Sequence, residues 1–250
     1  MNLCTDQLAM MIAAEGQLVS VSHMAFDPLS SAMADEAAAY HKNHGLAEEI
    51  YLLKPDLVLA TPFTNRATVS MLRRLGIPVV ELDLVTSLDD VPGLIMAAGK
   101  ALHRSERAAE LARSYEQRLA DLRAEVTVRP RVALYLANGY TFGDNTLAGQ
   151  ILRAAGFSNV ATEAGIDRAG TLPLELLALS APDVLITGTP YAGASRSEDI
   201  LHHPVVENLR LRLPSAGLSD RDWSCGTPHV LKSIEDMRML RRQLLLEGAE

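Results

Sequence analysis

The stretch that decides the fold is Ser87–Val126, SLDDVPGLIMAAGKALHRSERAAELARSYEQRLADLRAEV. Ser87 is a favourable N-cap, acidic residues follow it in the first turn, and Pro92 falls where a missing N–H is tolerated. Apolar residues then recur at three- and four-residue spacing, with charged residues between them. The pattern pauses at His103-Arg104-Ser105 and resumes. We predict one long helix, although an ordinary surface helix would show the same pattern.

The sequences on the two sides of this helix resemble each other. Glu48 precedes Pro55-Asp56 by seven residues, Glu175 precedes Pro182-Asp183 by seven, and an apolar run follows each pair. Short apolar runs that alternate with amphipathic helices are typical of parallel sheets covered by helices on both faces. Chance similarity is the alternative, because units of helix, Pro-Asp and strand are common in α/β proteins.

We therefore predict an α/β fold with two Rossmann-like lobes that have mostly parallel central sheets. Residues 1–86 form the first lobe, residues 87–127 the inter-lobe helix and residues 128–250 the second lobe. Ligands of parallel α/β sheets bind beyond the carboxyl ends of the strands. Two such lobes predict a ligand cleft between them.

Composition limits the class of protein. The chain has 250 residues, 48% of them hydrophobic, which suffices for one large core or two modest ones. Its net charge of −8 argues against a nucleic-acid partner and against an anionic membrane surface. No apolar run approaches the roughly 18 residues of a membrane span. Met1–Cys4 is interpreted as the end of a first strand, so the protein is either cytoplasmic or its leader is absent from this chain.

Aromatic residues are concentrated in the predicted loops. They make up only 4% of the chain. The loops hold Phe26, Phe63, Tyr140, Phe142, Tyr191 and Trp223. Aromatic side chains on loops favour an apolar, ring-bearing ligand, although each of them could instead pack beneath its own loop.

Three segments carry a family resemblance: Gly45–Val58 with its Leu-Leu-Lys-Pro-Asp, Leu75-Gly76-Ile77-Pro78-Val79, and Glu175 with Pro182-Asp183-Val184. They resemble the substrate-binding proteins of ABC importers for vitamin B12, haem and ferric siderophores. The likeness covers essentially the whole chain. That family has two lobes joined by a rigid helix.

The resemblance implies a non-enzymatic binding protein that captures a metal chelate and delivers it to membrane permease subunits. It implies a monomer in the periplasm, or anchored by lipid outside the cell, with the leader removed. The family docks one glutamate of each lobe on permease arginines, and by motif these are Glu48 and Glu175. Each glutamate could instead simply favour the dipole of its own helix.

Loop position and resemblance together give the candidate ligand-binding residues. They are Cys4, Met24, Phe26, His44, Thr61, Phe63, Tyr140, Phe142, Arg168, Tyr191, Trp223 and Cys225. Met24, His44 and Thr61 stand where the B12-binding protein has tryptophans, and Cys4-Thr5 replaces the usual Ser-Pro-type turn. The ligand is therefore not carried over, and no cofactor or resident metal is expected.

The two cysteines allow three interpretations. Cys4 and Cys225 are two buried thiols, a soft-ligand site for a metal or its complex, or a disulfide across the predicted cleft. A further alternative is a bare-metal site in which His23, His41 and His44 converge.

Two other functions remain open at this stage. One is a two-lobed α/β enzyme, although the sequence lacks the phosphate-binding G-x-G-x-x-G and G-x-x-x-x-G-K-[ST] motifs and a serine nucleophile elbow. The other is a cytoplasmic ligand sensor of the same fold, which the absent leader would favour.

Overall fold

The computed structural model describes residues 1–123, 126–188, 195–218 and 220–247. The chain divides into two compact units. Unit 1 contains Met1–Val85, Asp89–Gln117 and Cys225–His229, and unit 2 contains Thr86–Leu88, Arg118–Ser224 and the chain from Val230. Both units are α/β, which confirms the predicted fold class. No helix in the described part of the chain is long and apolar enough to span a membrane.

Unit 1 alternates helices and short parallel strands. Its helices are α1 (Leu3–Ile12), α2 (Ala34–Ala37), α3 (Ala47–Leu52), α4 (Arg66–Arg74), α5 (Val91–Ala101) and most of α6 (Ser105–Leu122). Its strands are β1 (Ser20–Ser22), β2 (His41–Asn43), β3 (Val58–Ala60) and β4 (Val79–Glu81). In the described residues β1 pairs with β2 and β3 pairs with β4, both in parallel.

The first residues of the chain form a helix. Asn2 is the N-cap of α1, and its Oδ1 accepts the backbone N–H of Cys4 at 3.0 Å. Leu8 and Ile12 are fully buried on one face of this helix. The prediction of a strand ending at Cys4 is therefore wrong, because the Asn2 side chain satisfies a free N–H of the first turn.

The predicted long helix is two helices. His103, with φ of 54°, ends α5: its N–H donates to the Lys100 carbonyl at 3.2 Å, and the Arg104 N–H donates to the Gly99 carbonyl at 2.7 Å. These two bonds form a Schellman motif, which terminates a helix. A Cβ on Gly99 would lie 2.2 Å from Ala108 Cβ, so the start of α6 packs directly on α5. The pause at His103 was thus the end of a helix.

Helix α6 keeps the apolar stripe that the sequence predicts. Its 18 residues make a rod about 27 Å long. The buried positions are Ala108, Ala112, Tyr115 and Leu119. The sequence boundary between the two units falls inside this helix, after Gln117. The helix therefore contributes residues to both units.

Unit 2 is built around a four-stranded parallel sheet with the order β10-β9-β5-β7. Its strands are β5 (Arg131–Leu134), β6 (Tyr140–Phe142), β7 (Ser158–Asn159), β8 (Ala169–Thr171), β9 (Val184–Gly188) and β10 (Ser215–Leu218). Its helices are α7 (Leu147–Ala154), α8 (Val160–Glu163), α9 (Leu174–Ser180), α10 (Pro204–Arg212) and α11 (Val230–Glu247). β6 and β8 form a separate antiparallel pair. The residues of β5 and β9 are almost all buried, as expected of strands covered on both faces.

The sequence repeat is also a structural repeat. Helix α3 is followed by Lys54 with φ of 49°, and α9 is followed by Ala181 with φ of 45°. Each of these residues directly precedes Pro-Asp and a parallel strand, β3 or β9. Left-handed backbone costs a non-glycine residue about 1 kcal/mol or more, so the two units share an unusual feature.

Replacing Ala181 by glycine should stabilise the protein, because glycine adopts a positive φ without the Cβ penalty. We expect Ala181→Gly to raise the free energy of unfolding by about 0.5–1 kcal/mol in urea denaturation. Ala178→Gly, inside α9, is the matched control and should lower it by about 0.5–1 kcal/mol. A loss of stability in both variants would contradict the left-handed assignment.

Cys4 and Cys225 form a disulfide, with their Cα atoms 5.1 Å apart. Both residues belong to unit 1, because Cys225–His229 is part of that unit. The bond therefore lies within one unit, and the expectation that it would join the two lobes is wrong. Cys4 is also on a helix instead of a strand. The thiols are consumed in the bond, so the two interpretations that require free sulfur are wrong for this structure.

Breaking the disulfide should destabilise unit 1. The bond links residues 221 positions apart, and a loop this long corresponds to roughly 5 kcal/mol of stabilisation in the chain-entropy account. We expect reductant to lower the thermal midpoint by about 10 °C. The double variant Cys4→Ser/Cys225→Ser should unfold at that lowered midpoint with and without reductant. An unchanged midpoint in fully reduced protein would contradict this role.

Candidate functional site

The loops after β1 and β2 lie side by side in unit 1. The two strands are parallel neighbours, and Ser22 pairs with Asn43 at their carboxyl ends. The next residue of each chain segment, His23 and His44, is therefore adjacent to the other. Their rings stack with centroids 5.4 Å apart and an interplanar angle of 21°. The sheet register thus brings together two loops that the sequence had placed at a candidate site.

The candidate residues of unit 1 differ in their exposure. Met24 is 44% and Phe63 is 78% exposed, and the His44 side chain is largely exposed. Thr61 is buried, and its backbone N–H donates to Thr64 Oγ1 at 3.0 Å, so it shapes the turn after β3. Phe26 is half-buried, with Lys42 Nζ 4.3 Å from its ring centroid. Of these five, Met24, His44 and Phe63 are accessible to a ligand.

The backbone at His44 is held by two neighbouring side chains. Glu49 Oε2 accepts the His44 backbone N–H at 2.7 Å, and Asn43 Oδ1 accepts the Gly45 N–H at 3.1 Å. The first of these bonds holds the pKa of Glu49 below its usual value, because it stabilises the carboxylate. Glu49 Oε1 also lies 3.2 Å from His44 Nδ1. The His44 ring is therefore oriented before any ligand arrives.

The histidines do not form a bare-metal site. His41 is at the start of β2 and His44 directly follows its end, so the strand separates them by about 10 Å. Among the described residues no group of three or more histidine, cysteine or acidic side chains is placed to hold a metal ion. The alternative built on His23, His41 and His44 is therefore wrong for this part of the chain.

Three predicted aromatic residues of unit 2 form a continuous row. Tyr140 meets Phe142 edge to face at 5.4 Å between centroids, and Phe142 meets Trp223 edge to face at 5.2 Å. Tyr140 is 42% exposed, Phe142 is half-buried and Trp223 is 9% exposed. Sequence analysis had placed all three in loops, but Tyr140–Phe142 is strand β6, paired with β8. The pairing fixes the direction of the two ring-bearing side chains.

The Trp223 indole carries a buried donor. Its Nε1 has no hydrogen-bond partner in the part of the chain that the structure describes. A buried N–H that lacks a partner costs roughly 1–3 kcal/mol. The indole contacts Phe142, so this donor lies at one end of the aromatic row and is suited to donate to a ligand that reaches it.

Arg168 directly precedes β8. Its carbonyl accepts the Gly143 N–H at 2.8 Å, and its side chain is exposed. A Cβ on Gly143 would lie 1.9 Å from the Ile166 carbonyl oxygen, so only glycine allows this close approach of the two segments. The backbone near Arg168 is therefore fixed while the guanidinium faces solvent. Tyr191, the remaining candidate, lies outside the described residues.

Glu48 and Glu175 occupy matching positions on α3 and α9. Both are exposed in the first turn of their helix. Four residues later each helix has an exposed leucine: Leu52 is 76% and Leu179 is 80% exposed. Residues four apart share one face of a helix, so each unit presents a carboxylate beside an apolar side chain. Burial, with the Glu175 carboxylate nearby, raises the pKa of the Tyr135 phenol.

The sequence repeat places Leu52 and Leu179 at the same offset from Glu48 and Glu175, but it does not predict that the two leucines are exposed. A leucine at the end of a short amphipathic helix normally indicates a core position. The signal available was that both leucines repeat at the same offset from an acidic residue. The stacking of His23 on His44 was also missed, because the short strand β2 had not been predicted.

A family model and a curated relative both match this chain, over different lengths. Residues 1–210 match the family described as periplasmic binding protein. A cobalamin-binding protein of Halobacterium salinarum (strain ATCC 29341 / DSM 671 / R1) is 34% identical over 146 residues, which cover 56% of this chain and 40% of that protein. The match thus spans less than half the length of this relative.

Solved structures share the fold along nearly the whole chain. The periplasmic haem-binding protein RhuT of Roseiflexus sp. RS-1, in its apo form, has a TM-score of 0.79 and 21% identity, covering 97% of this chain and 96% of its own. The periplasmic vitamin B12-binding protein BtuF of Vibrio cholerae has a TM-score of 0.69 and 20% identity, covering 98% and 96%. From the match over residues 1–210, the chain belongs to the periplasmic binding protein family.

Proposed function

We propose that the chain is the substrate-binding component of an ABC importer. It captures a metal chelate, of the corrinoid, haem or ferric-siderophore class, and delivers it to the membrane permease. The observation that carries this proposal is the row of Tyr140, Phe142 and Trp223, with the buried indole N–H at its end. The cobalamin and haem relatives named above support the same ligand class.

Both units carry groups suited to contact a chelate, and each unit is considered by itself. In unit 2 the aromatic row provides ring faces and edges for a large conjugated ligand, and Arg168 and the Trp223 N–H provide donors for peripheral oxygen atoms. In unit 1, Met24 and Phe63 provide apolar contact. The oriented His44 imidazole is of a type that binds metals at an open coordination position. None of these groups needs to carry out a reaction, which fits a binding protein.

Delivery requires a surface that the permease recognises. Glu48 and Glu175 provide one exposed carboxylate on each unit, suited to pair with arginine in bidentate geometry. Leu52 and Leu179 add an apolar contact beside each charge. An isolated carboxylate in a first helical turn needs no exposed leucine beside it, so the paired arrangement favours docking over a purely local role. A monomer presents one such pair.

The disulfide supports a location outside the cytoplasm. Disulfides persist in oxidising compartments and are rare where thiols are kept reduced. The Cys4–Cys225 bond therefore favours the periplasm, or a lipid-anchored position outside the cell, over the cytoplasmic sensor.

Ligand binding should be detected by a thermal-shift panel of cobalamins, haem, ferric siderophores and bare metal ions. At about 100 times its dissociation constant the correct ligand adds about 2.7 kcal/mol, which corresponds to roughly 5–10 °C. We expect a shift with one chelate class and none with the bare ions. If no chelate shifts the midpoint of folded, ligand-free protein, the proposed function is wrong.

Within that function, Tyr140→Ala should weaken binding of the chelate about tenfold, because it removes an exposed ring from the row. Tyr51→Ala is the matched control, since Tyr51 is 49% and Tyr140 is 42% exposed. The control should bind normally in the same titration. Equal affinity of the two variants would remove the aromatic row from the site.

Docking should depend on the two glutamates. The double variant Glu48→Arg/Glu175→Arg should bind ligand with unchanged affinity but associate at least about tenfold more weakly with the permease in liposomes, because like charges then face each other. The control Glu106→Arg reverses an exposed charge on α6 and should dock normally. Wild-type docking should weaken as salt is raised. Normal docking by the double variant would refute this role.

A further inference from the structure

Unit 2 carries a group of four arginines apart from its aromatic row. The group is called the arginine cluster, and its members are Arg129, which precedes β5, and Arg238, Arg241 and Arg242 on α11. The aromatic row begins at Tyr140, beyond the carboxyl end of β5, whereas Arg129 lies before the amino end of that strand. The cluster therefore lies outside the candidate ligand site of unit 2.

The turn that precedes β7 holds two of the four side chains. Arg129 Nη1 donates to the Phe157 carbonyl at 3.4 Å. Arg241 packs on the same turn, since a Cβ on Gly156 would lie 3.0 Å from Arg241 Nε. Arg241 Nη2 also donates to the carbonyl of Val128, the residue before Arg129, at 2.8 Å. The two arginines are thus held near each other at the edge of the sheet where β5 and β7 begin.

The helical period of α11 brings the other two arginines to the same place. Arg238 is three residues before Arg241 and four before Arg242, so the three share one face of the helix. Arg238 Nη1 donates to the carbonyls of Asp121 at 3.0 Å and Leu122 at 2.8 Å. Arg242 is exposed and has no hydrogen bond or ion pair with the described residues.

Acidic residues on α11 do not balance these charges. The segment 237–246 has three arginines and no acidic residue. Glu235 and Asp236, which precede it, are each in an ion pair with a basic residue outside the cluster. Burial, together with the charges of the other three arginines, lowers the pKa of the Arg241 guanidinium. A chain with a net charge of −8 thus has a concentrated positive region in unit 2.

Helix capping explains only part of the cluster. Arg129 donates to the Arg153 carbonyl near the end of α7 at 3.1 Å, and Arg238 donates to carbonyls at the end of α6, where cations are favourable. Capping does not explain Arg242. It also leaves Arg241 Nε, which is buried and lacks a hydrogen-bond partner in the part of the chain that the structure describes. Such an orphaned donor destabilises the protein unless a ligand accepts from it.

We propose that the arginine cluster binds a phosphate group, which is a function beyond capture of the chelate. A guanidinium has five N–H donors, and Arg129, Arg238 and Arg241 each use one nitrogen in the bonds described above. A phosphate monoester carries a charge of about −1.5 to −2 at pH 7 and three acceptor oxygens, so several guanidinium groups can bind it together. A carboxylate has only one charge. Bound phosphate offsets the repulsion among the arginines.

Thermal unfolding at constant ionic strength tests the site. Inorganic phosphate at about 5 mM should raise the midpoint by at least about 2 °C over sodium chloride of equal ionic strength, because it binds only the folded protein. Sodium acetate under the same conditions should leave the midpoint unchanged. Constant ionic strength excludes general screening of charge as the cause. Equal midpoints in phosphate and chloride, or equal gains in phosphate and acetate, would overturn the proposal.

Arg242→Gln separates a phosphate site from an ordinary charged surface. It removes one of four like charges and no described bond, so it should raise the midpoint of phosphate-free protein by about 1 °C. It should also reduce the gain in phosphate by at least about half. Arg113→Gln, at an exposed position of α6, is the matched control and should change neither quantity. A full gain in phosphate by Arg242→Gln would contradict the assignment.

Co-sedimentation with vesicles identifies the source of the phosphate group. Vesicles of phosphatidylcholine with about 30% phosphatidic acid should sediment the wild-type protein if the group belongs to a lipid, and Arg242→Gln should sediment at least about threefold less. A gain in midpoint with phosphate but no sedimentation assigns the site to the free ion. Absence of both effects would refute the site. Neither readout depends on chelate binding or docking, so the proposed function can fail without this site failing.

Discussion

The Cys4–Cys225 disulfide is the constraint on which unit 1 depends. It attaches the segment Cys225–His229 to α1, although the chain on both sides of that segment belongs to unit 2. The contacts around it leave little freedom: a Cβ on Gly226 would lie 1.9 Å from Val85 Cγ2, and Thr227 Oγ1 is 3.4 Å from Gln7 Oε1. The covalent bond fixes in place a segment too short to hold itself.

The same bond supports the candidate ligand-binding residues of unit 1. Cys225 packs in a buried cluster with Val21 and Ala25, and Phe26 packs against the edge of that cluster. Val21 lies in β1, and Ala25 and Phe26 lie in the turn that follows it. That turn also carries His23 and Met24, and His23 stacks on His44. A displacement of Cys225 would therefore also displace the turn that carries His23 and Met24. The disulfide restrains that displacement.

The sequence was informative where one physical rule dominates. Apolar periodicity located most of the long helices, and the predicted buried strand before Phe63 is β3. The sequence was misleading where a single backbone conformation or a cap decides where a helix begins or ends. The residue type of His103 does not predict the left-handed backbone that ends α5. Asn2 is a favourable N-cap, but that role is recognised only when a helix is expected to follow it. The partner of a cysteine depends on tertiary distance, which spacing alone does not provide.

The repeat explains why the two units can be compared residue by residue. Lys54 and Ala181, Glu48 and Glu175, and Leu52 and Leu179 are equivalent in sequence and in local structure. Exposure of a carboxylate and a leucine on both helices has no benefit for folding, since each leucine leaves most of its surface in water. The docking role proposed above for Glu48 and Glu175 would explain this paired exposure.

Native mass spectrometry after competition tests the central claim most directly. The protein is incubated with an equimolar mixture of cobalamin, haem, ferric siderophores and bare metal ions, and its mass is then measured without denaturation. The account predicts one adduct at a 1:1 ratio whose mass is that of an intact chelate. The adduct should be reduced in Tyr140→Ala and unchanged in Tyr51→Ala. An adduct of bare metal alone, or none in protein shown to be folded, would contradict it.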